Sequence, residues 1–247
     1  MDKIKKFEAM LSKANNIVAF TGAGVSTDSG IKDFRSNDGL YNILREKYNM
    51  SPEYMLSRRF FNENTEKFYE FYKSALNSLD AKPNITHEFL ANLEKSGKLK
   101  AIVTQNIDGL HERAGALNVL NLHGSIFENF CLECGKSYSE EFIFYCSGVP
   151  RCSCGGLIKP HVVLYGEALS LELLEKASMA IREADMLIVL GTSLLVEPAA
   201  SLIKEFKGKY LVIINRDKTP YDSRANLVIN DNIKSVFEKL SLEVINE

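Results

Sequence analysis

Four cysteines stand in two close pairs, Cys131-Leu-Glu-Cys134 and Cys152-Ser-Cys154. The spacing C-x2-C-x17-C-x-C is compatible with tetrahedral thiolate ligation of zinc, and four sulfur ligands leave no open position for a catalytic water. A fifth cysteine, Cys146, could replace Cys152, but the Gly155-Gly156 turn beside the C-x-C knuckle makes Cys152 and Cys154 the better pair. In a reducing compartment such pairs favour metal over disulfides.

A second group begins where Ile17-Val-Ala-Phe20 runs into Thr21-Gly22-Ala23-Gly24-Val25-Ser26-Thr27. This reads as a strand, a glycine turn and the start of a helix. Gly22 and Gly24 allow positive φ and close backbone approach to a pyrophosphate, whose charge a helix N-terminus would stabilise. Thr27 stands where the dinucleotide fingerprint wants its third glycine, and no acid for a ribose ends the second strand. The turn alone therefore leaves nucleotide binding and a structural βα turn both open. The following Gly30-Ile31-Lys32-Asp33-Phe34-Arg35-Ser36 puts an acid, a ring and a guanidinium in a loop able to fold over a dinucleotide, or simply a charged loop.

Further polar residues fall at the ends of apolar runs: Gln105-Asn106-Ile107-Asp108, His123, Thr192-Ser193 and Asn215-Arg216-Asp217. In an open parallel sheet, ligands bind beyond the carboxyl ends of the strands. That convergence singles out His123 as a candidate acid–base group, whereas His87, His111 and His161 read as structural.

The elements that must position these groups follow from hydrophobic patterning. Apolar runs at 17–20, 101–104, 119–122, 186–190, 210–214 and 226–229 are continuous, as in strands buried on both faces. Between most of them, apolar residues recur at three-and-four spacing over 86–95, 171–184, 198–206 and 233–240. The pattern predicts an α/β fold with a parallel sheet covered by helices. Thr86 reads as an N-cap and Gly97 as the end of its helix. Two stretches break the alternation: 37–81 is aromatic and helical in pattern, and 125–159 carries the cysteines with almost no regular period. They read as insertions forming a small module, with 1–36, 82–124 and 160–247 as the main domain.

The chain has 247 residues, 30 Lys+Arg against 32 Asp+Glu, and 45% hydrophobic residues. That length supports a core without disulfides, and the composition argues against disorder. The near-neutral charge gives no bulk attraction to nucleic acid or an anionic membrane. The amphipathic start reads as a helix rather than a signal peptide, and no apolar run approaches bilayer length, so a cytoplasmic location is expected.

Taken in chain order, Gly22-Ala-Gly-Val-Ser26 with Gly30-Ile31 and Asp33-Phe34-Arg35-Ser36, Thr104-Gln-Asn-Ile-Asp-Gly-Leu-His111, Leu122-His-Gly124, the paired cysteines, Val162-Val-Leu-Tyr-Gly-Glu167 and Gly191-Thr-Ser-Leu194 resemble the sirtuins, NAD-dependent protein lysine deacylases, of the bacterial type. The resemblance implies a Rossmann-like domain with a smaller zinc-binding and helical module, and a substrate cleft between them. It implies NAD as co-substrate, structural Zn2+ on Cys131, Cys134, Cys152 and Cys154, and acetylated-lysine proteins as substrates. His123 then corresponds to the base acting on an NAD ribose hydroxyl after the acyl oxygen attacks the anomeric carbon and nicotinamide leaves. An imidazole serves that role with little pKa perturbation. The expected products are free lysine, nicotinamide and O-acetyl-ADP-ribose.

By the same resemblance Asn106, Ile107 and Asp108 hold the nicotinamide carboxamide. Gly22, Ala23, Gly24, Thr27, Phe34, Arg35, Gln105, Thr192, Ser193, Asn215, Asn232 and Ile233 supply the remaining NAD contacts, and Phe34 shields the reactive carbon. Val162, Val163, Leu164, Tyr165, Gly166 and Glu167 face Leu194, Leu195 and Val196 across a peptide held as an added strand. The chain departs from sirtuins at Lys32, where they usually carry Pro. Desuccinylating sirtuins resemble one another in a Tyr-x-x-Arg motif; here Tyr69-Glu-Phe-Tyr72 puts a tyrosine at the arginine position, which favours an uncharged acyl group, with Lys73 the neighbouring cation. Protein ADP-ribosylation and non-enzymatic NAD sensing are the alternative readings; the first would not require acetyl-lysine, and the second would not need His123.

Overall fold

Short, mainly apolar runs become strands, and the computed structural model, which describes residues 2–34 and 39–240, lays six of them side by side. In chain order the first helix is α1 (Lys3–Lys13), then strand β1 (Ile17–Thr21). The helical insertion follows as α2 (Leu40–Tyr48), α3 (Pro52–Met55), α4 (Arg58–Glu63) and α5 (Thr65–Ala75). Next come α6 (Ile85–Lys95), β2 (Leu99–Thr104), α7 (Leu110–Arg113) and β3 (Val119–Asn121). The cysteine segment contributes β4 (Gly124–Cys131), β5 (Ser137–Tyr138), α8 (Glu140–Tyr145) and β6 (Ile158–Val162). The chain then adds α9 (Leu171–Glu183), β7 (Met186–Leu190), β8 (Tyr210–Ile214), β9 (Leu227–Ile229) and α10 (Ile233–Phe237).

The main sheet is parallel throughout, in the order β3-β2-β1-β7-β8-β9. Central β1 and β7 are buried along their whole length, which is why their sequences are apolar on both faces. One face packs against α1, α6 and α10 through Phe7, Leu11, Leu90 and Phe237. The other packs against α9 and residues 199–205 through Ile181, Ala200 and Ile203. Residues Ala199–Glu205 form a 3-10 helix, and the predicted helix at 233–240 is shortened to α10.

Thr86 does not cap α6. Asn84 does: its Oδ1 accepts the Thr86 N–H (3.0 Å), and its own N–H donates to His87 Nδ1 (3.2 Å). Thr86 lies within the first turn and is buried. Asn84 Nδ2 also donates to the Val25 carbonyl (2.8 Å), which ties α6 to the turn after β1.

The two insertions share one core. Phe60, Phe61, Phe68, Tyr69 and Tyr72 from the helices pack with Ile126, Ile143 and Ile158 from the cysteine segment. Each buried ring contributes about 2–3 kcal/mol of burial free energy. The near-absence of period at 125–159 conceals a three-stranded antiparallel sheet, β5-β4-β6. A register shift between Gly124 and Asn129 breaks the alternation that would have exposed β4 in the sequence.

Gly124 opens β4 directly after His123 with φ +76°, and a Cβ there would sit 1.8 Å from the His161 carbonyl oxygen. Gly124→Ala combines left-handed strain with a backbone clash and is expected to cost about 3 kcal/mol or more, read as a lowered urea midpoint. Unchanged stability would contradict this close approach.

Candidate functional site

The turn after β1 differs from the expected helix start. It forms two 3-10 turns, Ala23–Val25 and Thr27–Ser29, so no α-helix dipole faces the strand end. Nor is positive φ the reason for Gly22, whose φ is −136°. The glycines are required by proximity: a Cβ on Gly22 would lie 2.7 Å from Thr192 Cβ, and one on Gly24 would lie 2.8 Å from Gly191 Cα. Gly22 N–H donates to the Leu190 carbonyl (3.0 Å) and Gly24 N–H to that of Gly191 (2.8 Å). The turn is thus locked against the end of β7.

Gly22, Ala23, Gly24 and Thr27 form part of the wall of a cavity of about 1050 Å³, at the upper end of the range for ligand pockets. The same wall carries Phe34, Gln105, Asn106, Ile107, Asp108 and His123. Thr192, Ser193, Asn215, Asn232 and Ile233 close its far side, and Val162–Glu167 with Val196 its outer edge. Arg35 lies outside the described residues. Leu194 and Leu195 are not on the wall: Leu194 is buried in the sheet core and Leu195 is 60% exposed.

His123 follows β3, with Nδ1 3.0 Å from the Gln105 carbonyl. A carbonyl only accepts, so Nδ1 carries the proton and Nε2 is the basic nitrogen. Burial lowers the His123 pKa from the ordinary 6.5, partly offset by the bond to Gln105. This corrects the expectation of an unperturbed imidazole and favours the neutral base. Gln105 Nε2 in turn donates to Thr192 Oγ1 (3.0 Å), joining the ends of β2 and β7.

Asn106 and Asp108 are both buried and converge on Ser26, which the sequence reading assigned no role. Ser26 Oγ donates to Asp108 Oδ2 (2.7 Å) and accepts from Asn106 Nδ2 (3.1 Å). The other Asp108 oxygen accepts the Leu110 N–H (3.0 Å). Burial raises the Asp108 pKa, while the bonds from Leu110 and Ser26 pull it back. A serine four residues into a strand-to-turn motif was the available signal.

Phe34 stands edge-on to Tyr41 at 5.8 Å. Asp33 pairs with Arg216 at 3.6 Å, linking the loop after β1 to the end of β8. Asn215 Nδ2 donates to the Asp217 carbonyl (2.8 Å), and Asn232 Oδ1 caps α10 through Ser235 N–H (3.0 Å). Tyr72 is on the wall, whereas Lys73 is not: its ammonium donates to the carbonyls of Cys146 (2.7 Å) and Gly148 (2.6 Å).

The other histidines are structural. His87 and His111 are buried with rings 4.8 Å apart, and burial drives their pKa values down to about 4 and about 3. His161 is exposed and pairs with Glu128 at 2.6 Å.

Cys131, Cys134, Cys152 and Cys154 present sulfurs that all lie within 4.8 Å of one another. The shortest separations are 3.5 and 3.6 Å. Tetrahedral ligation with Zn–S of about 2.3 Å requires sulfur separations of about 3.8 Å, so the four thiols fit zinc and are far from disulfide length. Cys146 stands apart, its thiol on the Ile143 carbonyl at 3.4 Å. Gly156 lets the knuckle close, since a Cβ there would meet Cys131 Sγ at 2.6 Å.

A pocket at the carboxyl edge of an open parallel sheet is the nucleotide site of the α/β class. Within that class the chain belongs to the Sir2 family, whose sequence model matches residues 22–198. It is 53% identical over 243 residues to an NAD-dependent protein deacetylase of Clostridium perfringens, covering 97% of this chain and 98% of that one. It is 51% identical over 240 residues to one of Clostridium acetobutylicum, covering 96% and 98%. Among solved structures it resembles Sir2 with a p53 peptide and NAD+ (TM-score 0.85, 40% identity, 97% of each chain). It also resembles a histidine-to-alanine Sir2 variant with deacetylated p53 peptide and 3′-O-acetyl ADP-ribose (TM-score 0.87, 40% identity, 96% of each chain).

The purified protein is expected to carry about one zinc per chain by elemental analysis. Stripping it with a chelator should lower Tm by about 10 °C or more, because a metal on these thiols would join the end of β4 to the turn at 152–154 that precedes β6. A metal-free protein of unchanged Tm would remove the structural role.

Proposed function

We propose that this chain removes acetyl groups from protein lysine side chains with NAD as co-substrate, giving deacetylated lysine, nicotinamide and O-acetyl-ADP-ribose. The observation that carries the reading is a single cavity joining the glycine turn, the half-buried His123 and the Val162–Glu167 segment. Bound NAD supplies an anomeric carbon open to attack by the acyl oxygen, with nicotinamide as leaving group. His123 Nε2 takes the proton of a ribose hydroxyl, and the Gln105 carbonyl orients the ring and stabilises its charged form. Asn106, Ile107 and Asp108 receive the nicotinamide carboxamide, with Ser26 holding the two polar side chains in place. Phe34 covers the reacting carbon. Gly22, Ala23, Gly24, Thr27, Arg35, Gln105, Thr192, Ser193, Asn215, Asn232 and Ile233 hold the rest of NAD.

The peptide lies as an added strand between Val162–Glu167 and Leu194–Val196, and main-chain pairing reads the acyl-lysine more than its flanks. The exposed Leu195 and the end of β6 at Val162 suit that geometry. The acetyl preference is supported by Lys73, which is spent on the Cys146 and Gly148 carbonyls. In this reading 1–36, 82–124 and 160–247 form the NAD-binding domain, and 37–81 with 125–159 form the small module. Partners are acetylated proteins rather than nucleic acid or membrane, and the location is cytoplasmic. Among the described residues no helix is long and apolar enough to cross a membrane.

Nicotinamide release should depend strictly on an acetyl-lysine peptide, and acetyl-lysine should outpace succinyl-lysine. His123→Ala should lower kcat by about 10²–10⁴-fold while NAD and peptide still bind in calorimetry. Sustained turnover in that variant would remove the assigned base. For kcat/KM against pH, a His123 pKa below 6.5 keeps the base neutral, so the acid limb should fall only below about 6.5. A limb centred above that value would contradict the buried, neutral imidazole.

A further inference from the structure

The segment assigned to the peptide is held by an internal ion pair. Lys159 sits in β6, 9% exposed, one residue before Pro160, whereas His161 of the same strand is exposed. Its ammonium donates to Glu167 Oε2 (3.1 Å), to the Val162 carbonyl (3.0 Å) and to the Pro160 carbonyl (3.3 Å), which uses all three of its protons. The same Glu167 oxygen accepts the Leu164 N–H (3.0 Å), and Glu167 N–H returns to the Leu164 carbonyl (2.9 Å). Gly166, at φ +87°, makes the reversal possible. The result is a closed ring of hydrogen bonds from β6 through the turn at 164–167, with the charges of both ends inside it.

Among the described residues, the other bonds hold the start and the middle of this segment. Val163 N–H donates to the His123 carbonyl (2.9 Å), and Tyr165 exchanges bonds with the Leu56 carbonyl (2.9 Å) and Arg58 N–H (2.9 Å) of the helical insertion. Without the ion pair, Val162 and Leu164 lose their side-chain partners and the 164–167 turn loses its brace. We propose that Lys159 and Glu167 are positioning residues: the pair sets the conformation in which Val162–Glu167 meets the acyl-lysine peptide, and the Glu167 carboxylate is turned into the protein rather than toward substrate. The inference rests on the peptide assignment made above.

The test exploits the fact that a buried ion pair can often be replaced by apolar residues without loss of stability, whereas its hydrogen bonds to the backbone cannot. Lys159→Met/Glu167→Leu is compared with the intact protein and with the near-isosteric Glu167→Gln, in case the double variant folds poorly. Wild-type release of nicotinamide that requires acetyl-lysine peptide establishes the peptide site independently of the pair. Given that, the double variant and Glu167→Gln should melt cooperatively and show KM for acetyl-lysine peptide raised about tenfold. KM for NAD should move less than threefold, so that the loss falls on peptide affinity. Peptide KM unchanged in either folded variant, or a loss shared equally by NAD, would overturn the proposal.

Discussion

The close approach of the turn after β1 to the end of β7 fixes the floor of the cavity. With Gly22 and Gly24 pressed on Gly191 and Thr192, two adjacent strand ends become one surface with no side chain between them. Gln105 extends this surface to β2 by its bond to Thr192, and its carbonyl holds His123 after β3. Four elements of the sheet edge are therefore coupled through a few short polar contacts. A side chain at either glycine would have to displace backbone of the neighbouring strand end, which is a larger perturbation than losing one ligand contact.

The second constraint is that neither insertion carries a complete core alone. The helices bring large aromatic rings, and the cysteine segment brings the antiparallel strands and the aliphatic side chains they pack against. Tyr72 illustrates the interlock, since its ring stacks on Phe68 of its own helix and on Phe144 of the cysteine segment, 5.6 and 5.5 Å away. The four thiols cluster in the same unit, where a zinc ion would tie them together. Because β4 starts immediately after His123 and β6 leads into Val162–Glu167, the order of the small module is transmitted to the cavity wall by backbone rather than by long side chains.

The central strands were legible because burial on both faces demands apolar runs, and the six runs named in the sequence fall on the strands of the main sheet to within one residue, the partly buried β3 included. The cysteine ligands were legible because tetrahedral thiolate geometry constrains spacing strongly. Less legible was anything decided by a neighbour distant in sequence. Gly22 and Gly24 stood out for positive φ and for close approach to a pyrophosphate; Gly22 does not use positive φ, and the contact of both with Gly191 and Thr192 is invisible without the sheet order. Thr86 had the right chemistry for a cap and lost to Asn84, whose side chain also reaches Val25 and Ser29. β4 was hidden by its register shift, and Ser26 and Lys159 by being ordinary residues whose partners lie 80 or more and 8 positions away.

Three histidines show how environment, not residue type, assigns a role. His87 spends Nδ1 on the Asn84 N–H, and His111 meets Thr21 Oγ1 through Nε2; both rings lie sealed beneath the sheet edge, and burial keeps them uncharged. His123 is also depressed by burial, but it forms part of the cavity wall, and its ring bonds to the Gln105 carbonyl, which stabilises the ring when protonated. A base must be able to gain a proton as well as be free of one. Desolvation alone would make His123 as inert as His87, and the Gln105 carbonyl alone would raise its proton affinity in a solvated ring; the two together give a neutral imidazole still able to accept a proton, which suits the role proposed for it.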